Sequence, residues 1–179
     1  RVVNQDFECN DHLPTVQTSL QIALQEMRTI ATSLGLPQLD NMSLTEVFAR
    51  VVRSHEKRTR TKVALNINDL PEQATLPVKI TIYRVIQEAL NNAHIHAGGM
   101  DQQVRANFEK GLLQIEISDK GRGFDVSLPI EWDNHLGLAG MRERVESLGG
   151  LFEIQSVISE GTIVNANLFL QDMDVYADR

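Results

Sequence analysis

The stretch LLQIEISDKGRGFD, residues 112–125, constrains the fold more than any other part of the chain. Apolar Leu113, Ile115 and Ile117 alternate with polar Gln114, Glu116 and Ser118, the two-residue period of a strand with one buried face. The strand ends on Asp119, and Gly121 and Gly123 follow at once around one arginine. A hairpin turn accounts for the glycines but not for the carboxylate. A site for a flat polar ligand accounts for both. Glycine lets backbone approach a ligand closely or take positive φ, and a carboxylate accepts hydrogen bonds from an exocyclic amine such as adenine's. A calcium loop of the EF-hand kind fails, because it needs oxygen ligands where Gly121 and Gly123 stand. KGRG also lacks the Lys-Ser/Thr ending of a P-loop. A tight turn with a solvated aspartate stays open as the plain alternative.

The elements around this strand are mixed. TKVALNIN, from Thr61, alternates like a strand. Pro77 opens a long helix, PVKITIYRVIQEALNNAHIHA, closed by Gly98 and Gly99. On it Ile82, Val85, Ile86, Ala89, Leu90 and Ala93 keep helical spacing and define a buried face. QQVRANFEKGLLQIEISD reads as two strands joined at Lys110-Gly111. A loop over 125–136 precedes a second helix in LGLAGMRERVESLGG, and LFEIQSV, ISEG and TIVNANLFL form a last hairpin. Hairpins outnumber strict βαβ units, so the expected fold class is a two-layer α/β sandwich with a mixed sheet and helices on one face.

A helical segment precedes this region. Leu20, Leu24, Met27, Ala31 and Leu34 recur with steps of four and three, extended back to Leu13 across Gln17. That is either the seam of a helical hairpin or dimer, or one amphipathic helix on a core. Gly35 and Pro37 stop it. Ser43 and Glu46 form a capping box for a further helix with Leu44, Val47, Phe48 and Val51 on one face. His55, one turn beyond Val51 amid charge, reads as solvated. The expected division is a helical segment over 1–60 and a mixed α/β domain over 61–179.

Charge and composition narrow the function classes. A net charge of −7 argues against broad nucleic-acid binding through phosphate neutralisation. The single cysteine, Cys9, rules out an intrachain disulfide framework and fits a reducing compartment. The sequence has neither a signal peptide nor an apolar run long enough to span a bilayer. The chain opens on Arg1 rather than Met, which we read as a piece of a longer protein. A membrane anchor elsewhere in the parent stays compatible with a cytoplasmic domain here.

Three further constellations accompany Asp119. Glu88 and Asn92 lie four residues apart on the long helix and share a stripe. The carboxamide oxygen suits Mg²⁺, which keeps most of its waters and leans on phosphates, and the carboxylate can order or deprotonate a donor group. Gly137 and Gly140 precede a helix whose N-terminal amides suit an anion, with Arg142 and Arg144 to add charge. Gly161 and Thr162 place a turn and a hydroxyl on the last hairpin. Each alone is a solvated helix face, a hinged loop or a plain turn. Their order and co-occurrence carry the signal.

That order resembles the ATP-binding domain of the superfamily uniting gyrase, the heat-shock chaperone, histidine kinases and the mismatch-repair MutL protein. It is most similar to the C-terminal catalytic region of NarL-type sensor histidine kinases. YRVIQEALNNAHIHA resembles the N box, DKGRGF the G1 box, GLAGMRERVESLGG the G2 box and SEGTIVNANLFL the closing Gly-Thr strand, over about residues 75–170. MRTIATSLGLPQLD more loosely resembles the second helix of the dimerisation hairpin, so the resemblance makes 1–60 a partial dimerisation hairpin and 61–179 the ATP-binding catalytic domain. The resemblance implies that Asp119 receives the adenine amino group and that Gly121 and Gly123 shape the adenine pocket. It implies that Asn92 holds Mg²⁺ bridging the phosphates and that Glu88 assists the phospho-accepting histidine. Gly137 and Gly140 would let a lid over 125–136 close on the phosphates, and Thr162 would hold the adenine through water. The implied cofactors are ATP and Mg²⁺. The implied partners are a response regulator, a phospho-acceptor and dimerisation helix, and a second copy in the full-length protein.

Two departures stand out. Ile95 occupies the place where the N box carries a basic residue before HA, so His94 or His96 would have to supply a phosphate contact. The acceptor histidine is not evident. Only 22 residues separate His12 from Leu34, about 33 Å of single helix, too little for a helix, a turn and a second helix. The acceptor helix is therefore expected outside this chain. The function implied is the Mg·ATP-binding part of a two-component kinase. The alternatives are a degenerate domain that only binds proteins, and a serine kinase of the same superfamily.

Overall fold

In the computed structural model, residues 39–125 and 136–170 are described. The seam at Leu13–Leu34 and most of the expected lid lie outside them. The elements are α1 (Leu44–Thr59), β1 (Val63–Asn68), α2 (Leu76–Ala97), β2 (Gln102–Glu109), β3 (Leu112–Asp119), α3 (Leu136–Glu146), β4 (Leu151–Val157) and β5 (Gly161–Phe169). One mixed sheet runs in the order β1-β2-β3-β5-β4. β1 and β2 pair in parallel, with α2 as the crossover, and every other pair is antiparallel.

The alternation in sequence becomes two faces of that sheet. By register Val104, Ile117, Val164 and Ile154 stand in one row, and Ala106, Ile115, Ala166 and Phe152 in the next. All but Ile154 are buried, and they form the core side. The opposite face carries Asn66, Arg105, Glu116, Asn165 and Glu153 in one row across all five strands. A sheet with one apolar and one polar face buries only the first, and the helices cover it. α2 lies across this layer, between α1 and α3, and touches β2, β3 and β5. Every residue of the face expected for α2, Ile82, Val85, Ile86, Ala89, Leu90 and Ala93, is buried. The architecture is the two-layer sandwich expected.

Local chemistry sets the ends of these elements. The capping box of α1 forms in both directions: Ser43 N–H donates to Glu46 Oε2 at 2.7 Å and Glu46 N–H to Ser43 Oγ at 3.2 Å. Gly98 caps α2 at φ 64°. Lys110 (φ 52°) and Gly111 (φ 80°) join β2 to β3, the pair of positive φ angles that a tight hairpin needs to match strand twist.

Two expectations change here. The boundary drawn at residue 60/61 falls inside one compact unit, Gln38–Arg179, because α1 buries Leu44, Val47, Phe48 and Val51 in contact with α2 and β1. His55 is not solvated; it is 3% exposed. Its Nε2 lies 3.2 Å from Gln102 Oε1, and Gln102 Nε2 donates to the Leu90 carbonyl at 3.0 Å. That second bond fixes the carboxamide, so His55 Nε2 carries the proton and Nδ1 is bare. Burial holds the His55 imidazole below its ordinary pKa, with the Gln102 bond opposing. Among the described residues no helix is long and apolar enough to cross a membrane.

Candidate functional site

Asp119 is the last residue of β3 and lies in register with Thr162 of β5. Its carboxylate Oδ1 accepts the Gly121 N–H at 2.8 Å, which bends the chain sharply after the strand and leaves Oδ2 for another donor. Burial pushes the Asp119 carboxyl above its ordinary value, against the Gly121 hydrogen bond. A half-buried carboxylate with one oxygen to spare is partly desolvated and able to accept from a ligand's donor.

The glycines are where backbone has to pass closely. A Cβ on Gly121 would strike Ala97 in the last turn of α2. Gly123 has φ +55°, and a Cβ there would run into the Val157 carbonyl of β4. The loop is tied down from the same side, since Ser159 N–H donates to Arg122 O at 2.7 Å and Phe124 N–H to Ser156 Oγ at 2.9 Å. Gly161 has φ +102°, and a Cβ there would strike the Asp119 carbonyl. The result is a carboxylate and a threonine hydroxyl on adjacent strands, walled by backbone that carries no side chains.

The second half of the site lies on α2. Glu88 and Asn92 are half-buried on the helix, and Asn92 falls between Glu88 and the Ala97 turn that packs on Gly121. The first turn of α3 comes against Glu88, where a Cβ on Gly137 would strike Glu88 Oε1. Asn92 offers an uncharged oxygen beside a carboxylate one turn away, a donor set that suits a hydrated, phosphate-bound Mg²⁺ and not a soft metal. Among the described residues no group of three or more His, Cys, Asp or Glu side chains could hold a metal by itself.

The structure thus brings Asp119, Gly121, Gly123 and Thr162 together, and sets Gly137 on Glu88 beside Asn92. Gly137 and Gly140 are placed differently from the sequence reading: both lie inside α3 and not ahead of it. Gly140 is buried, and its carbonyl accepts Arg144 Nη1 at 2.6 Å. Arg142 Nε is 3.8 Å from Glu146 Oε1. His94 turns towards His55, with the two rings edge to face at 6.2 Å between centroids. It does not share the Glu88 and Asn92 stripe. Ile95 is 62% exposed. Ser156 was not foreseen. It lies in an otherwise ordinary strand, and its role shows only when Phe124, Gly161 and Thr162, distant in part along the chain, come within reach.

The family model described as the histidine kinase-, DNA gyrase B- and HSP90-like ATPase matches residues 78–172, which span every element that builds this site. The chain belongs to this ATPase family. Among its relatives are the signal transduction histidine-protein kinase/phosphatase DegS of Brevibacillus brevis and the sensor protein VraS of Staphylococcus aureus strain COL. DegS is 31% identical over 142 residues, 79% of this chain and 36% of DegS. VraS is 28% identical over 169 residues, 94% of this chain and 48% of VraS. The chain therefore spans less than half the length of these relatives. A solved histidine kinase domain, from the blue-light activated kinase EL346 of Erythrobacter litoralis, superposes with a TM-score of 0.61 at 22% identity, covering 76% of this chain and 66% of that one. At that identity the likeness shows a shared fold. Membership in the ATPase family implies that the domain binds ATP.

Proposed function

We propose that this chain is the Mg·ATP-binding catalytic portion of a two-component sensor histidine kinase, on the cytoplasmic side of its parent. It would transfer the γ-phosphate to a histidine outside this chain, from which it passes to an aspartate of a response regulator. The observation that carries the reading is the spare oxygen of Asp119, in register with Thr162 and followed by the closely packed Gly121 and Gly123. Asp119 Oδ2 accepts the adenine amine. Asn92 would hold the Mg²⁺, which would supply charge neutralisation at the phosphates. Glu88, held against the first turn of α3, accepts or orients the proton on the acceptor imidazole. Gly137 lets the start of α3 approach Glu88, as expected of a segment that closes over phosphates. Gly140, interior to α3, keeps that helix slim where it is buried. Catalysis on this plan is positioning and electrostatics, with no covalent enzyme intermediate at the nucleotide. The apolar repeat at Leu13–Leu34 would supply pairing to a second copy, and α1 belongs to the catalytic domain.

The exposed Ile95 in place of a basic residue favours a second reading, a domain that binds proteins without phosphoryl transfer. One experiment tests both. The full-length parent is supplied with γ-labelled ATP and Mg²⁺, with and without an acceptor-helix fragment. Acid-labile, base-stable label on the protein is the result expected of a histidine kinase. ATP binding with no label at all would leave the protein-binding reading standing and remove the kinase one.

A further inference from the structure

We propose that Ser156 is a specificity-determining residue of the nucleotide pocket: by taking the Thr162 hydroxyl proton it leaves Thr162 able only to accept, which matches the pocket to a 6-amino purine against a 6-oxo purine. The inference rests on the ATP reading above and adds to it a residue that does not itself face the base.

The argument is a count of hydrogen-bonding capacity. Ser156 is buried at 6% exposure, and its Oγ has three neighbours: Phe124 N, Gly161 O and Thr162 Oγ1, each at 2.9 Å. A serine hydroxyl has one hydrogen and two lone pairs. The Gly161 carbonyl can only accept, so the single Ser156 hydrogen goes there. The Phe124 N–H can only donate, so it takes one lone pair. The contact with Thr162 could run either way in isolation, but Ser156 has no hydrogen left. Thr162 must donate, and its own hydroxyl then offers lone pairs and nothing else.

Thr162 stands directly across from Asp119 in the β3–β5 register. Asp119 as a carboxylate also only accepts, with Oδ1 committed to Gly121. Both polar groups at this end of the pocket therefore present acceptors. The C6 edge of adenine presents an amine that donates directly to these acceptors. The C6 edge of hypoxanthine or guanine presents a carbonyl, which meets lone pair against lone pair and leaves buried polar groups unpaired. Without Ser156, the Thr162 hydrogen is free to rotate towards the ligand, and the carbonyl is no longer rejected at this position.

The probes are ATP and inosine triphosphate, which differ only at the C6 and N1 edge of the base. Dissociation constants for both are measured by competition against a fluorescent nucleotide, on wild type, Ser156→Ala and Ser156→Thr. The wild type is expected to prefer ATP. Ser156→Ala is expected to narrow the ATP-to-inosine-triphosphate preference by about three- to tenfold, the worth of one hydrogen bond. Ser156→Thr, which keeps the hydroxyl, is expected to retain the preference. An unchanged ratio in Ser156→Ala, or equal weakening of both nucleotides, overturns the assignment, because a purely structural serine moves both alike. Wild-type protein that binds neither nucleotide overturns the ATP reading and this inference with it. Should Ser156→Ala not fold, neutron diffraction on deuterated wild type answers the same question: the Thr162 deuteron on Ser156 Oγ supports the proposal, and one aimed into the pocket refutes it.

Discussion

Replacing Asp119 by asparagine separates the site's function from its stability in a way that few substitutions do. The carboxylate has two acceptor oxygens. One takes the Gly121 N–H at 2.8 Å, and the other is left for the base in the proposed site. Asparagine has one acceptor and one NH₂ group. If its oxygen keeps Gly121, the NH₂ meets the adenine amine donor to donor. If it flips, the NH₂ meets the Gly121 N–H instead. In the first case the bond to the base is lost; in the second it survives as a neutral bond while the Gly121 bond is lost. The site can keep only one of the two, and losing a charge-assisted bond is worth about 1.5–3 kcal/mol, about ten- to a hundredfold in dissociation constant. The free protein responds oppositely. Burial raises the Asp119 pKa from its ordinary 3.8. For a carboxyl raised in the folded state, the unfolded chain releases its proton first as pH rises. Stability therefore falls through the window above 3.8, and the charged form is a cost at neutral pH. The asparagine variant removes that cost. A fluorescent-ATP titration and a thermal melt without nucleotide, on the same two proteins, are expected to show weakened binding at an equal or higher melting temperature. Equal binding would remove Asp119 from the pocket. Weakened binding with a collapsed melting temperature would mean that Asp119 only holds the turn.

Three further outcomes follow from other parts of the molecule. Asn92→Ala is expected to abolish the gain in ATP affinity on adding Mg²⁺ while leaving Mg²⁺-free binding near that of wild type; a variant that still responds to Mg²⁺ in the same titration would place the ion elsewhere. Gly161→Ala puts a Cβ onto the Asp119 carbonyl at φ +102°, so urea unfolding should report a loss of about 2 kcal/mol or more, and a loss under 0.5 kcal/mol would contradict the packing. His55 is depressed below its ordinary 6.5 by burial, so its contribution to stability is complete above that value and is lost as pH falls below it. The melting temperature of wild type should drop between about pH 7.5 and 5.5, and His55→Gln should flatten the drop; parallel curves would show that this imidazole does not report on folding.

What could be read from sequence divides by range. Period-two alternation in 113–117 and the glycines beside Asp119 are local signals, and both the strand and the sharp turn after it formed where they pointed. The buried face of α2 was equally legible, because six apolar residues at helical spacing have one way to meet a sheet. His55 was misjudged because its neighbours in sequence are charged, whereas its partner Gln102 arrives from 47 residues away. Ser156 was invisible for a related reason: a lone serine in a strand gains meaning only when three other backbone and side-chain groups converge on it. Gly137 and Gly140 read as a hinge because glycine disfavours helix interiors. In α3 a Cβ would meet only the tip of Glu88 at Gly137 and the tip of Arg144 at Gly140, so neither glycine breaks the helix that begins before them. The division at residue 60/61 followed a change of texture from helical to mixed, which does not reveal that α1 packs on α2.

The most direct measurement is a crystal structure of the chain with Mg²⁺ and a non-hydrolysable ATP analogue. The account predicts the exocyclic amine of the base within about 2.7–3.2 Å of the free Asp119 oxygen, with Thr162 beside it and the metal on Asn92. A base lodged elsewhere, with that carboxylate turned to bulk water, would contradict it.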